Sequence, residues 1–95
     1  MTTFIKTKPG AVLEYSTTHF PRYKVLLHND DVNSMEHVMQ ALIRVFRFDE
    51  HVSAQITIDA HNTGVALCIV EPYEQAEFHR DQLRAYSLFA TIEPE

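Results

Sequence analysis

YKVLLHNDDVNSME, residues 23–36, joins a predicted β-strand to the start of a predicted helix. The strand covers Tyr23 to His28, which include aromatic and β-branched side chains and are followed at once by turn-forming residues. Asn33 has a side chain that can accept hydrogen bonds from backbone N–H groups, and Glu36 stands three positions later, as in a capping box. The segment therefore predicts a strand, a polar turn and a helix capped by Asn33.

Downstream of this segment, the spacing of apolar and turn-forming residues predicts three helices. The first covers residues 34–46, where apolar residues recur at the three- and four-residue spacing of a buried helix face. Asp49 is expected to cap a second helix, which ends before Gly64 because glycine suits the left-handed position after a helix. A third helix is predicted to have Pro72 at its first position.

Two further strands complete the predicted fold. The apolar run VALCIV, residues 65–70, has the length of a central strand, and residues 88–93 predict a final strand. The order β-α-α-β-α-β predicts an α+β two-layer sandwich, in which three helices cover one face of a three-stranded sheet. Residues 23–95 are assigned to this core domain, and residues 1–22, which lack sustained periodicity, are predicted to form a flexible N-terminal arm.

Composition narrows the classes of function. A chain of 95 residues predicts one domain, and its formal charge of −5 argues against a nucleic-acid-binding surface. No run of about 18 apolar residues predicts a membrane span, and the N-terminus lacks the apolar stretch of a signal peptide. The single cysteine, Cys68, cannot form an internal disulfide, which is typical of a reducing compartment. A cytoplasmic protein without membrane or nucleic-acid partners is expected.

The polar turn admits more than one interpretation. Asn29, Asp30 and Asp31 place several hydrogen-bond acceptors together at one edge of the predicted apolar layer. The two carboxylates could pair with an ammonium group on an apolar ligand, against a wall formed by Met35 and Val38. Alternatively, the carboxylates only form an Asx turn and satisfy the helix N-terminus. The local chemistry by itself favours the Asx turn.

A metal site is a third interpretation, and its oxygen and nitrogen ligands would be His28, Asp30, Asp31, His37 and His61. The chain has no His-x-x-x-His or Cys-x-x-Cys spacing, no EF-hand loop and no Gly-x-Ser-x-Gly motif. No catalytic residue, metal ligand or cofactor is therefore predicted. A metal-dependent hydrolase using His28, Asp30, Asp31 and His61 remains the enzymatic alternative.

Several motifs together resemble the ClpS family of adaptor proteins. They are YKVLLHNDD at 23–31, Met35, Glu36, Val38, Ala60, His61, Gly64 and Thr91 to Glu93. The resemblance covers residue 23 to about residue 93 and is closest to the cyanobacterial and plastid branch. It implies an adaptor, not an enzyme, that binds N-degrons, which are free N-termini beginning with Leu, Phe, Tyr or Trp. Such adaptors deliver their substrates to the N-terminal domain of a Clp AAA+ unfoldase, of the ClpA or ClpC type, and its ClpP peptidase.

The resemblance also implies roles for individual residues. Asn29, Asp30 and His61 match positions that hold the substrate's α-amino group. Glu74 and His79 fall near the surface on which the unfoldase docks, and the arm at 1–22 corresponds to a segment that the unfoldase engages. The positions that line the pocket for the substrate side chain are Leu27, Asp31, Asn33, Met35, Val38, Thr57, Ala60 and Leu88.

Several positions depart from the better-known bacterial pattern or bear on specificity. Thr57 stands where many family members carry methionine, and Ala60 replaces a larger aliphatic residue, so the pocket is expected to be wider or more polar. Met35 is expected to disfavour β-branched Ile and Val at the substrate N-terminus. Where other family members carry lysine this chain has His79, which is expected to weaken or retune docking. A protein that modulates the unfoldase without binding substrates is a further alternative.

Overall fold

The computed structural model describes residues 21–95, which form three β-strands and three α-helices. The observed order β-α-α-β-α-β confirms the predicted fold class. Of the predicted arm, Arg22 belongs to the first strand and Pro21 precedes it, whereas residues 1–20 lie outside the described residues. The elements are β1 (Arg22–His28), α1 (Met35–Phe46), α2 (Glu50–Thr63), β2 (Val65–Pro72), α3 (Tyr73–Ala85) and β3 (Ala90–Pro94).

The sheet has the strand order β2-β1-β3, and both pairings are antiparallel. The first strand is therefore central, and Leu27 pairs with Ala66 on one side and with Ala90 on the other. The backbone hydrogen bonds continue beyond the end of β1, where His28 N–H donates to the Phe89 carbonyl at 2.9 Å. The polar turn after His28 therefore begins at the end of the central strand, between β2 and β3.

The three helices pack against one face of this sheet, and the hydrophobic core lies between the two layers. Leu42 of α1 and Leu83 of α3 are fully buried, as is Val25 of the central strand. Burial of each leucine or valine side chain contributes roughly 1.5–3 kcal/mol. The first helix, α1, packs against α2 and α3, and α2 in turn contacts β1 and β2. None of the helices among residues 21–95 is long and apolar enough to cross a membrane.

The first helix and its N-cap both lie one residue later than predicted. Ser34, not Asn33, is the N-cap, and its hydroxyl accepts a hydrogen bond from the His37 N–H at 3.1 Å. The prediction was wrong because two good capping residues are adjacent and the Asn33 side chain is engaged elsewhere, with Asp30 and the Ser87 carbonyl. The polar turn is therefore one residue longer than the sequence pattern indicated.

The other helix ends agree with local sequence rules, with one shift. Asp49 caps α2 by accepting from the Val52 N–H at 2.8 Å, as predicted. Gly64 ends α2 with a φ of 94°, a left-handed conformation that glycine adopts without steric cost. Pro72 lies at the N-cap position of α3 and not at its first helical position, because its ψ of 156° continues the extended strand β2.

Candidate functional site

A cavity of about 290 Å³ lies between the turn after β1, the start of α1 and the C-terminal half of α2. The residues around it come from two stretches of the chain, 27–38 and 57–61. They are Leu27, His28, Asn29, Asp30, Asp31, Asn33, Ser34, Met35, Val38, Thr57, Ala60 and His61.

The cavity brings together all three residues expected at the α-amino group and all those expected at the side-chain pocket except Leu88. Leu88 is 4% exposed and belongs to the hydrophobic core, and its N–H donates to the Leu83 carbonyl at 3.1 Å. The turn after α3 thus directs Leu88 into the core, so it does not line the cavity. His28 and Ser34 border the cavity in addition to the expected residues.

Asp30 forms the centre of the polar turn. Its Oδ1 accepts hydrogen bonds from the backbone N–H groups of Val32, at 2.9 Å, and Asn33, at 2.8 Å. These bonds, above all the one from the Asn33 N–H, hold the pKa of Asp30 below its usual range. The Asx turn considered in the sequence is therefore present. Its effect is to fix an ionised carboxylate at the edge of the cavity.

The edge of the cavity is also fixed by contacts between the turn and α2. Asn29 N–H donates to the Gly64 carbonyl at 2.9 Å, three residues beyond His61. His61 lies in the last turn of α2 and is exposed, as is the side chain of Asn29. The carboxylate of Asp30, the amide of Asn29 and the imidazole of His61 therefore border one cavity from two elements.

The inner wall of the cavity is mostly apolar. Leu27, Thr57 and Ala60 are 2%, 4% and 4% exposed, whereas Met35 is 42% exposed. The Thr57 hydroxyl donates to the Ser53 carbonyl at 2.8 Å, one turn earlier in α2. This bond uses the only donor of the Thr57 side chain, so Thr57 can offer a ligand an acceptor but no donor.

The residues considered as metal ligands do not form a cluster. No group of three or more His, Cys, Asp and Glu side chains within residues 21–95 is arranged to hold a metal ion. His28 lies with Nε2 at 2.7 Å from the Thr91 hydroxyl and stacks on Phe89. His37 Nε2 donates to the Tyr86 carbonyl at 2.7 Å. Burial raises the pKa of the Cys68 thiol to about 12, which makes it a poor nucleophile.

Glu74 and His79, the two residues expected near the docking surface, lie on α3 outside the cavity. Glu74 is exposed in the first turn. His79 Nδ1 donates to Glu71 Oε2 at 2.6 Å, and its ring lies 4.8 Å from that of Phe46. Glu71 is buried, so this contact draws the imidazole toward the core and leaves 22% of the His79 side chain exposed.

The chain matches a known protein family. The family described as "ATP-dependent Clp protease adaptor protein ClpS" matches residues 18–91. A ClpS adapter protein of Synechococcus sp. (strain CC9902) is 51% identical over 76 residues, which cover 79% of this chain and 73% of the relative. A chloroplastic ClpS1 adapter of Chlamydomonas reinhardtii is 40% identical and covers 92% of this chain and 54% of the relative.

A solved structure matches the fold as well as the sequence. The structure of Agrobacterium tumefaciens ClpS2 bound to L-phenylalaninamide superposes with a TM-score of 0.74 and 32% identity, covering 79% of this chain and 98% of that chain. The fold and the matching sequences define a Clp protease adaptor. The chain belongs to the ClpS family, with relatives in cyanobacteria and plastids, as its motifs indicated.

Proposed function

We propose that this protein binds polypeptides by a free N-terminus that begins with a bulky hydrophobic residue of the Leu, Phe, Tyr or Trp class, and delivers them for degradation. The observation that carries the proposal is the position of Asp30, an ionised carboxylate held by backbone N–H groups at the edge of a largely apolar cavity. A chain end is the part of a polypeptide that presents an ammonium and a side chain on the same carbon atom.

The polar edge of the cavity matches the chemistry of an α-ammonium group, which has three donors. A carboxylate offers about four acceptor sites. Within the described residues, Asp30 accepts from three groups: the backbone N–H groups of Val32 and Asn33 and the side-chain amide of Asn33. The carboxylate can therefore accept a further donor. The side-chain carbonyl oxygen of Asn29 can accept a further hydrogen bond from the ammonium. An unprotonated ring nitrogen of His61 can accept another. A charge-assisted hydrogen bond to the ammonium contributes about 1.5–3 kcal/mol.

The apolar wall provides the second part of recognition. Transfer of a leucine or phenylalanine side chain from water into the cavity contributes roughly 2–3 kcal/mol. Because association also costs free energy, we expect dissociation constants on the order of micromolar. The solved Agrobacterium relative was bound to L-phenylalaninamide, which carries a free α-amino group next to an aromatic side chain. That ligand supports the same pairing of groups here.

Delivery requires a partner, for which we propose the N-terminal domain of a Clp AAA+ unfoldase of the ClpA or ClpC type that feeds the ClpP peptidase. Glu74 and the exposed part of His79 would contribute to docking on α3, and the unfoldase would engage residues 1–22. The protein would act in the cytoplasm, because an adaptor must share a compartment with its unfoldase. In this role the adaptor itself performs no catalysis and needs no metal or cofactor.

Fluorescence anisotropy with labelled peptides that differ only in their first residue tests the proposal. Peptides beginning with Leu, Phe, Tyr or Trp should bind, and those beginning with Ala, Ser or Glu should not. The variant Gln55→Ala is a matched control, because Gln55 is exposed on α2 and does not line the cavity. If the purified protein bound the unfoldase domain but none of the peptides, a modulator without substrates would replace the proposed adaptor.

A further inference from the structure

The side-chain amide of Asn33 connects two loops at the edge of the cavity. Its Nδ2 lies 3.1 Å from Asp30 Oδ2 and 3.3 Å from Asp30 Oδ1, and 2.8 Å from the Ser87 carbonyl oxygen. The two protons of one NH₂ group are sufficient for these contacts, with one shared by the carboxylate and the other donated to Ser87. Asn33 thus joins the turn after β1 to the connection between α3 and β3.

The orientation of the Asn33 amide follows from the chemistry of its partners. An ionised carboxylate and a backbone carbonyl accept hydrogen bonds and cannot donate them. If the amide were rotated by half a turn, its oxygen would face two acceptors and both contacts would become repulsive. The NH₂ group must therefore face Asp30 and Ser87, so the contact has one stable orientation.

The loop on the far side of this contact is itself constrained. Ser87 has a φ of 68°, a left-handed conformation that is uncommon for a residue other than glycine. Its carbonyl accepts from Asn33, and the preceding carbonyl, of Tyr86, accepts from His37 Nε2 at 2.7 Å. Two side chains from the start of α1 and its preceding turn thus hold consecutive carbonyl groups of one loop.

We propose that Asn33 is a positioning residue of the α-amino site, which orients the Asp30 carboxylate by anchoring it to the Ser87 carbonyl, and that it does not select the substrate side chain. This role rests on the proposed function, because it assigns Asn33 to the ammonium and not to the hydrophobic pocket. The family resemblance had suggested the pocket. The chemistry requires two donors on a short stem: serine and threonine have one, aspartate has none, and glutamine is one methylene longer.

A double-mutant cycle separates these two roles. Asn33→Ala and Asp30→Asn are made singly and together in the full chain, and two labelled probes are used. One is a Phe-initiated peptide, and the other is the same peptide with the α-amino group replaced by hydrogen, a 3-phenylpropionyl chain. Asn33→Ala should weaken binding of the amine-bearing peptide about tenfold and change binding of the desamino peptide less than twofold. In the Asp30→Asn background the same substitution should cost less than twofold for either probe.

A conservative variant and a ligand-free measurement complete the test. Asn33→Thr retains one donor and should recover part of the affinity that Asn33→Ala loses. In ligand-free protein, both side-chain amide protons of Asn33 should give distinct NMR signals that exchange slowly with solvent, and the Asp30→Asn substitution should shift one of them. Fast exchange of both signals would overturn the proposed contact directly.

The possible failures are distinguishable. Equal losses for both probes, or an Asn33 effect that persists at full size in the Asp30→Asn background, would overturn the positioning role and leave the proposed function intact. If the wild-type protein bound neither probe, or bound both equally, the proposed function would fail and the positioning role would fail with it. The NMR measurement on ligand-free protein reports on the hydrogen bonds in either case.

Discussion

The edge of the cavity and its inner wall are built by different means. The edge consists of loop residues held by hydrogen bonds, with Asp30 bonded to two backbone N–H groups and to Asn33. The inner wall consists of residues from β1 and α2, including Leu27, Thr57 and Ala60, held by packing in the core. Since the hydrogen bonds of Asp30 and Asn33 involve no residue of this wall, we expect that recognition of a chain end and choice of the first side chain can change independently.

The largest effect is expected from removal of charge at the edge. A peptide with an acetylated N-terminus, or the variant Asp30→Asn with an unmodified peptide, should bind about 10- to 150-fold more weakly, since a charge-assisted hydrogen bond contributes about 1.5–3 kcal/mol. Fluorescence anisotropy with a Phe-initiated peptide measures this loss. Equal affinity for the acetylated and free forms would contradict the assignment of the edge to the ammonium group.

A substitution in the wall should change selectivity and leave recognition of the ammonium intact. Thr57→Met adds bulk next to Ala60, so the ratio of affinities for Leu- and Tyr-initiated peptides should rise by about tenfold, because the larger side chain has less room. The loss on acetylation should stay within twofold of the wild-type value. An unaltered ranking of Leu, Phe and Tyr would show that Thr57 does not contribute to the choice.

A third prediction concerns stability just behind the wall. The Ser53 hydroxyl is fully buried and has no hydrogen-bond partner among the described residues, although its backbone carbonyl accepts from Thr57. Ser53→Ala removes this unsatisfied group and leaves the carbonyl in place, so it should raise the free energy of unfolding by about 1 kcal/mol. Urea unfolding followed by circular dichroism measures the change. A destabilised variant would indicate that the hydroxyl has a partner in solution.

The smallest effect concerns the response of the edge to acid. The pKa of Asp30 is lowered in the folded protein, chiefly by the Asn33 N–H, so the ionised carboxylate stabilises the fold above the unfolded pKa of about 3.8. This stabilisation is lost as the pH falls through the folded pKa. The stability difference between wild type and Asp30→Asn should therefore shrink between pH 6 and pH 2.5. A difference that stays constant over this range would show that the carboxylate is not held by its hydrogen bonds.

Much of the fold could be predicted because its signals are local. Asp49 and Gly64 mark the ends of α2 through side-chain and backbone preferences that act within one helical turn. Errors of one residue arose at Asn33 and Pro72, where a neighbouring residue satisfied the same rule or a strand continued.

The site was less predictable from local rules because its contacts join distant segments. Local chemistry suggested the Asx turn at Asp30 but could not show that His61 borders the same cavity, which the family resemblance supplied. No signal near Asn33 indicated its bond to the Ser87 carbonyl, which lies 54 residues away. For the same reason, the position of Leu88 in the core could not be separated from a position in the cavity wall.

The bond between Asn33 and Ser87 also has a consequence for folding. Contacts between residues far apart in sequence tend to form late, because closing a long loop costs more conformational entropy than forming a local contact. The loop that this bond closes contains α1, α2, β2 and α3, so its closure is favourable chiefly once those elements have packed. A chain emerging from the ribosome would therefore have most of its core before it had a finished cavity edge. Such a chain would not yet hold substrates at full affinity.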